Sequence, residues 1–280
     1  MNYEGKALTI AGSDSGGGAG IQADLKTFHS FNVFGMSVLT SITAQNTLGV
    51  RAVHDIPPDT IEKQIDAVME DMGTDSVKTG MVSSKEIIEV IANRIKKYRI
   101  KLLVVDPVMV AQSGDRLLQK KAELSLVKDL LPLALILTPN VYEAELLSGL
   151  RIKTREDARR AARMIHKKGP EFVLLKGGHF HDKEEAVDIL FDGKKFEYFK
   201  AQRIDTSNTH GTGCTFSAAI TACLSKGMSV RNAVETAKDY ITRAIQNAPG
   251  DIGKGNGPLY HNITPLSPSA SKEDEKKFDE

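Results

Sequence analysis

Short apolar runs alternate with longer segments of helical period along most of the chain, and this alternation limits the possible folds more than any other feature. The runs are typical of buried strands, and the longer segments repeat apolar residues every three or four positions. Strands separated by helices predict an α/β fold with a largely parallel sheet covered on both faces. The predicted strands are residues 7–11, 38–44, 77–79, 102–106, 135–138 and 172–176, and the predicted helices are residues 21–31, 60–72, 87–98, 123–131, 143–147 and 158–168.

The pattern changes between residues 187 and 199, where two apolar runs flank Asp192 and Gly193. An Asp-Gly pair between such runs predicts a β-hairpin, so antiparallel strands should finish one edge of the sheet. Two further helices are predicted at residues 213–226 and 229–247.

The composition predicts one soluble domain with a small-molecule partner. Of the 280 residues 41% are hydrophobic, and Lys and Arg total 37 against 36 acidic residues. Such a balance gives no strong field for nucleic acid or a membrane surface. No stretch has the character of a signal peptide or a membrane span. We expect one domain over residues 1–264 and a disordered tail at 265–280, where few apolar side chains are available to fold around.

The two cysteines, Cys214 and Cys223, lie on one predicted helix, roughly 13 Å apart at the helical rise, which is too far for a disulfide. Unpaired cysteines indicate a reducing, cytoplasmic location. Cys223 has no glycine turn or charge near it and is predicted to belong to the core.

A Gly-Thr-Gly turn at residues 211–213 opens directly into an apolar helix and places Cys214 in its first turn. Backbone N–H groups and the positive end of the helix should converge there on an anion. The same field should lower the thiol pKa and make Cys214 a usable base near neutral pH. Phosphoryl transfer needs both features. The alternative is that the glycines only shape a turn and that the cysteine is a small buried hydrophobe.

A glycine-rich loop at residues 12–20 follows the first predicted strand and lets the backbone approach a ligand closely. It matches neither common nucleotide fingerprint, because the P-loop needs Lys where Gly18 stands and the dinucleotide pattern needs Gly where Ile21 stands. Helix entry alone could also use such residues. Asp24 follows in the next helix, where it either faces this loop or only supplies a favourable charge near a helix N-terminus.

Ligands of parallel sheets gather at the carboxyl ends of the strands, so polar residues there are candidates for the site. Gln45 follows a predicted strand, and its amide suits a ring nitrogen beside an exocyclic amine, although a simple turn would also explain it. Asp106 ends the buried strand predicted at residues 102–106 and suits Mg²⁺ or its waters. Asn140 and Glu143 could form a helix capping box, which would be reason enough for Asn140. Lys176 ends another strand, before two glycines, and suits a polyphosphate.

The seven histidines show no metal-ligand spacing with one another or with cysteine, so no zinc site is predicted. His210, beside the Gly-Thr-Gly turn, is the histidine that most merits a test.

With these motifs in this order, the chain resembles the ribokinase-like superfamily, and within it the bacterial hydroxymethylpyrimidine and phosphomethylpyrimidine kinases of thiamine biosynthesis. The matching stretches are residues 11–28, 44–49, 78–81, 106–109, 138–143 and 210–217. The resemblance implies a three-layer α/β/α sandwich with a mostly parallel central sheet and antiparallel edge strands. It implies that residues 1–264 are a kinase domain, that ATP and Mg²⁺ are the cofactors, and that the protein is a homodimer.

The resemblance also implies roles for the candidate residues. The substrate ring would lie between the loop that starts at Gly12, Gln45 and the backbone near Val108, and we assign Asp24 to the same substrate site. The anion hole for the transferring phosphoryl group would comprise Gly211, Thr212, Gly213 and Cys214. Nucleotide phosphates would touch Asn140, Lys176 and Gly213, and Mg²⁺ would be held by Asp106 and Glu143, directly or through water.

The wider superfamily usually has aspartate where Cys214 stands, whereas the vitamin-kinase branch has cysteine. Whether the thiol deprotonates the hydroxyl or only positions it stays open, because the loose transition state of phosphoryl transfer gives a base modest work. A loop at residues 111–116 is the candidate lid.

Three other functions share part of this pattern. A pyridoxine or pyridoxal kinase acts on a similar hydroxymethylated heterocycle, but Gln45 favours the aminopyrimidine. A nicotinamide-dependent oxidoreductase fails on the fingerprint spacing. A non-catalytic binding module is opposed by Cys214, Lys176 and Asp106, which stand at separate strand ends.

Overall fold

The computed structural model describes residues 2–109, 120–178 and 184–266. Nine strands in these ranges form one sheet, and eight α-helices cover it. The strands are β1 Lys6–Asp14, β2 Phe34–Asn46, β3 Gly49–Asp55, β4 Ser76–Thr79, β5 Leu103–Val105, β6 Ile136–Leu137, β7 Phe172–Leu175, β8 Glu185–Phe191 and β9 Phe196–Gln202. The helices are α1 Gly20–Ser30, α2 Pro58–Asp71, α3 Lys85–Lys97, α4 Lys120–Ser125, α5 Val141–Ser148, α6 Arg155–His166, α7 Thr212–Ser225 and α8 Val230–Gln246.

The sheet has the order β3-β2-β1-β4-β5-β6-β7-β8-β9. The six strands from β2 to β7 in this order are parallel to their neighbours, whereas β3, β8 and β9 pair antiparallel at the two edges. The mostly parallel sheet and the predicted hairpin are therefore confirmed. The chain builds outward from β1 to one edge and then from β4 to the other, so a crevice is expected between the carboxyl ends of β1 and β4.

Helices pack on both faces of the sheet and form the three predicted layers. On one face, side chains such as Phe28, Ile220 and Tyr240 from α1, α7 and α8 make one core cluster. On the other face, side chains such as Ile61 and Ile91 belong to a second cluster with residues of α6. Because both faces are covered, strands β5, β6 and β7 are apolar on both sides, which explains their continuous apolar runs.

Two elements differ from the sequence-based expectation. Strand β3 was not predicted, since its residues are mostly exposed and it forms by backbone pairing with β2. The predicted helix over 123–131 is only partly α-helical, because a π-helical turn at Leu126–Leu130 and a 3-10 turn at Leu131–Leu133 follow α4. Pro132 has no N–H to donate, so a regular helix cannot continue through it.

The candidate lid at residues 111–116 lies outside the described residues, as do residues 267–280 of the predicted tail. In the ranges that the structure describes, no helix combines the length and the apolar character needed to cross a membrane.

Candidate active site

A cavity of about 570 Å³ opens at the carboxyl ends of the parallel strands. Residues at or after the ends of β1, β2, β4, β5 and β7 line it together with the first turn of α7. Most of the candidate residues lie on its wall, namely Gly12, Gln45, Asp106, Val108, Asn140, Glu143, Lys176, Gly211, Thr212, Gly213 and Cys214. The fold thus brings together side chains that are far apart in the sequence.

The anion turn, residues 211–214, begins α7. Gly211 caps the helix with φ 81°, a left-handed conformation that favours glycine. The Thr212 hydroxyl donates to the Thr209 carbonyl at 2.7 Å, which fixes the turn from the other side. The first N–H groups of a helix have no acceptor within it, so those of Gly213 and Cys214 are available to an anion in the cavity.

Cys214 is half-buried and lines the cavity. Burial raises the pKa of its thiol to about 11; the positive charge of Lys78 opposes this, and Asp24 and Asp106 add to it. The expectation of a lowered thiol pKa was therefore wrong, because desolvation of the thiol outweighs the attraction of Lys78. Cys223 is fully buried in α7, and burial raises its pKa to about 12, as fits the predicted core cysteine.

Lys176, which follows β7, and Asp106, which follows β5, form an ion pair across the end of β6, the strand between them. The ammonium lies 2.8 Å from Asp106 Oδ1, while Ser217 donates to Oδ2 at 3.2 Å. Burial works against the Asp106 carboxylate, but attraction to Lys176 and Lys78 holds its pKa below the ordinary value. The anion turn lies close to this pair at Gly213, where a Cβ would stand 3.2 Å from Lys176 Nζ.

Asn140 and Glu143 form the predicted capping box at the start of α5 and also line the cavity. The Asn140 N–H donates to Glu143 Oε2 at 2.8 Å, and the Glu143 N–H donates to Asn140 Oδ1 at 2.9 Å. Burial raises the pKa of Glu143 to about 7, although attraction to Lys176 works in the opposite direction. The capping role therefore does not remove either residue from the site.

Gly12, Gln45 and Val108 line another part of the wall. A Cβ at Gly12 would lie 2.7 Å from the Ser41 hydroxyl, so a side chain there would force that hydroxyl to move. Gln45 is half-buried at the end of β2, and the Thr43 hydroxyl lies 3.3 Å from its Oε1. The Thr43 hydroxyl has one proton and lies closer to the Ser13 carbonyl oxygen, at 2.8 Å, so the Gln45 amide with its NH₂ group is left for a ligand.

Asp24 does not line the cavity. Its side chain is fully buried and forms an ion pair with Lys78 at 2.8 Å. Its assignment to the substrate site is corrected accordingly: α1 turns this carboxylate into the interior, where Lys78 and Thr9 bind it. Neither interpretation of Asp24 from the sequence, as a residue facing the loop or as a charge near a helix N-terminus, included a buried ion pair.

Sequence reasoning missed Asp14, which organises the glycine-rich loop. Its Oδ1 accepts from the Gly16 N–H at 2.8 Å, and its Oδ2 accepts from the N–H groups of Gly18 and Ala19 at 3.0 and 2.8 Å. His210 Nε2 contacts the same Oδ2 at 2.8 Å. Asp14 thereby joins the loop to the residue that precedes the anion turn. An Asp two residues before a Gly-rich turn was the available signal.

Replacing Asp14 with Asn should lower the free energy of unfolding by about 2–3 kcal/mol, because buried N–H groups lose a charged acceptor. The bonds to Asp14 hold its pKa below the ordinary value despite burial. Its contribution is therefore present above the unfolded pKa of about 3.9 and is lost as pH falls through the lower folded pKa. Urea denaturation of both proteins at pH 7 and at a series of pH values below about 3.9 measures this.

Asp157→Asn is the matched control, because Asp157 also accepts several bonds at the start of a helix but is only partly buried. We expect a much smaller loss there. Equal losses in the two variants would contradict the role given to Asp14.

The histidines do not form a metal site in the described ranges, where no group of three or more His, Cys, Asp or Glu residues could hold a metal ion. His210 contacts Asp14, which gives it a structural partner instead. His179 and His181 lie outside the described residues.

A helix start with free N–H groups and a lysine–carboxylate pair, both at the carboxyl ends of a mostly parallel sheet, suit the binding of a phosphorylated small molecule.

The family model described as phosphomethylpyrimidine kinase matches residues 14–260, and the chain belongs to that family. The hydroxymethylpyrimidine/phosphomethylpyrimidine kinase of Bacillus subtilis is 48% identical over 256 residues, which cover 91% of this chain and 94% of that protein. Among solved structures, phosphomethylpyrimidine kinase of Clostridium difficile is 51% identical with a TM-score of 0.77, covering 86% of this chain and 99% of its own. Bacillus subtilis pyridoxal kinase, solved as an ADP complex, is 43% identical with a TM-score of 0.85, covering 93% and 98%.

Proposed function

We propose that this protein transfers the γ-phosphate of ATP to the hydroxymethyl group of 4-amino-5-hydroxymethyl-2-methylpyrimidine, and then phosphorylates the monophosphate to the diphosphate, in thiamine biosynthesis. One observation carries the proposal: a single cavity holds the Gln45 amide, the anion turn and Lys176. An acceptor, a transferring phosphoryl group and a polyphosphate each find a matching partner there. The names of the curated relatives support the same reaction.

The donor end of the site would bind the phosphates of ATP through Asn140, Lys176 and Gly213. Lys176 supplies a positive charge, and the start of α7 supplies N–H donors aimed at an anion. In the free protein Lys176 is paired with Asp106, so an entering polyphosphate would compete for its ammonium. Such preformed electrostatics is the main resource of phosphoryl-transfer enzymes.

Asp106 and Glu143 are the residues that would hold Mg²⁺. Both are buried, both line the cavity, and both offer the oxygen ligands that this ion prefers. Two carboxylates suffice, because Mg²⁺ usually keeps several waters and uses substrate phosphates for the rest of its shell. When bound, the ion would neutralise charge on the phosphates.

The acceptor end would comprise Gly12, Gln45 and Val108, with Cys214 at the hydroxyl. A thiol with a pKa of about 11 is protonated at neutral pH. We therefore assign Cys214 primarily the positioning of the hydroxyl for transfer in line with the donor, where correct geometry contributes much of the rate.

The assembly and location belong to the same proposal. We propose one kinase domain over residues 1–264, acting as a cytoplasmic homodimer, as kinases that resemble this chain commonly do. Light scattering on the purified protein should give twice the mass of the chain.

Steady-state kinetics with three acceptors tests the proposed substrate. Hydroxymethylpyrimidine and its monophosphate should have the higher kcat/KM, and pyridoxal should have the lower one. A strong preference for pyridoxal, with no turnover of the monophosphate, would overturn the proposal.

Pyridoxal kinase is the second candidate function, favoured by solved structures under that name at 37–43% identity. Pyridoxal carries a comparable hydroxymethyl group on an aromatic ring. It lacks the amine next to a ring nitrogen that an amide such as Gln45 can match with a donor and an acceptor.

Replacing Gln45 with Leu should weaken binding of hydroxymethylpyrimidine by roughly 1–3 kcal/mol, since a buried polar group of the ligand would lose its partner. The KM for pyridoxal should change much less, which makes pyridoxal the internal control for a damaged cavity. Unchanged affinity for the pyrimidine would remove Gln45 from the site.

A further inference from the structure

Lys78 is one of the largest fully buried side chains in the part of the chain that the structure describes. It lies in β4, whose four residues are all buried near the centre of the sheet. An ammonium group in such a place is costly unless a counter-charge accompanies it. Asp24 provides that charge: the Lys78 ammonium lies 2.8 Å from Asp24 Oδ2, and the Thr9 hydroxyl donates to the same oxygen at 2.6 Å.

Stability alone does not explain this pair. The second carboxylate oxygen, Asp24 Oδ1, is buried and has no hydrogen-bond partner among the described residues. Replacing a buried ion pair by apolar residues of similar volume is often neutral or stabilising, and an incompletely bonded pair is a still weaker stabilising device. A role in the adjoining cavity accounts better for the charges.

Lys78 borders that cavity. The absence of a side chain at Gly80 makes room for the ammonium, because a Cβ there would lie 3.0 Å from Lys78 Nζ. Burial opposes the charged form, but attraction to Asp24, Cys214 and Asp106 outweighs it and raises the pKa of Lys78 well above its ordinary value. The positive charge is therefore permanent in the range where enzymes are assayed.

Cys214 faces this charge together with groups from several elements. Asp24 comes from α1, Asp106 follows β5, Lys176 follows β7, and the backbone N–H of Gly20 reaches the sulfur. Both carboxylates disfavour negative charge on the sulfur, and Lys78 opposes them. Without Lys78, less positive charge would offset the repulsion that the two carboxylates exert on negative charge at the thiol or at a hydroxyl beside it.

We propose that Lys78 is a positioning residue for phosphoryl transfer: held by Asp24 at the cavity wall, its fixed positive charge offsets the two carboxylates around Cys214 and supports the negative charge that builds at the acceptor hydroxyl, which the neutral thiol positions. The identity of that acceptor rests on the proposed function, whereas the effect of Lys78 on the thiol does not.

The test follows alkylation of Cys214 by iodoacetamide at pH 9, in a Cys223→Ala background that leaves one thiol. Lys78→Met should slow alkylation about tenfold, as expected for a thiol pKa raised by one unit. Asp24→Asn should accelerate it. Opposite directions identify charge as the cause, because loosened packing would expose the thiol in both variants. Equal rates in Lys78→Met and its parent, or a change in one direction in both variants, would overturn the proposal.

The double variant Asp24→Asn/Lys78→Met guards against a misfolded single variant, because it replaces the pair with neutral side chains of similar size. If Lys78→Met fails to bind ADP, the double variant is compared with Asp24→Asn, and loss of Lys78 should again slow alkylation. Alkylation of the double variant that is as fast as that of Asp24→Asn, or faster, would reject the role.

Turnover provides the second measurement. Lys78→Met should lower kcat about tenfold or more if the charge it supports is worth at least one pKa unit, with the KM for ATP within about threefold. Unchanged kcat would reject a role in transfer. If the thiol responds as expected but the parent enzyme does not phosphorylate hydroxymethylpyrimidine, the proposed function is wrong and the charge assignment stands.

Discussion

Replacing Cys214 with Ala should lower kcat by roughly 100-fold or more, because an acceptor hydroxyl that is no longer held in line loses much of the advantage of proximity. The KM for ATP should change little, since the phosphate-binding residues Lys176 and Gly213 are untouched. Single-turnover kinetics and ADP binding separate the two effects. Cys223→Ala is the matched control: it removes the other thiol of α7 at a fully buried position away from the cavity, and its kcat should stay near that of the parent.

The pH dependence of the rate distinguishes the two possible roles of Cys214. Burial raises the thiol pKa to about 11, so the neutral form prevails below that value and thiolate accumulates only above it. A preformed thiolate base would make the rate rise about tenfold per pH unit between pH 7 and 9, with the dependence lost in Cys214→Ala. We expect a nearly flat profile, as a positioning thiol requires.

Replacing Gly211 with Ala should cause the largest structural loss, reducing activity about 100-fold, since small displacements of reacting groups cost this much. A methyl group at this position would overlap the carbonyl oxygen of Gly18 in the glycine-rich loop. The left-handed φ of 81° adds a strain of about 1–2 kcal/mol for any side chain. The anion turn and the loop would have to separate, which moves the N–H donors away from the phosphoryl group.

Gly227→Ala isolates the clash from the strain. Gly227 also has a left-handed φ, 79°, but a Cβ there would have nothing within 4 Å among the described residues. The Gly227→Ala variant should lose about 1–2 kcal/mol of its free energy of unfolding through this strain, measured by thermal unfolding, and its kcat should stay unchanged. Comparable loss of kcat in the two variants would show that close contact between loop and turn is not what matters for activity.

Much of the fold was predictable because its signals are local. The capping box at Asn140 and the hairpin around Asp192 and Gly193 depend on residues a few positions apart, and both are present. Strand β3 was missed because it forms by pairing with β2, and its own sequence shows no alternation of apolar and polar residues that would predict a strand. The break of the helix after α4 arises where the π-helical turn meets Pro132.

Site residues that end predicted strands could be identified from the sequence. Site residues whose role depends on burial and on distant partners could not. Asp106 and Lys176 were identified as residues that end strands, and the fold brings them within 2.8 Å of each other. Asp14 and Lys78 were given no role, since their partners, His210 and Asp24, lie 196 and 54 positions away.

The predicted direction of the Cys214 pKa shift was wrong for a related reason. The sequence shows the helix start that would lower the pKa, but it does not show the desolvation that raises it. The same gap left Asp24 assigned to a substrate that its buried side chain does not face.

A crystal structure with hydroxymethylpyrimidine and a non-hydrolysable ATP analogue tests the central claim most directly. The account predicts the terminal phosphate within hydrogen-bond distance of the N–H groups of Gly213 and Cys214, with the acceptor hydroxyl against the Cys214 sulfur and the ring against Gln45. A terminal phosphate bound elsewhere in the cavity, with the sulfur in contact only with apolar side chains, would contradict it.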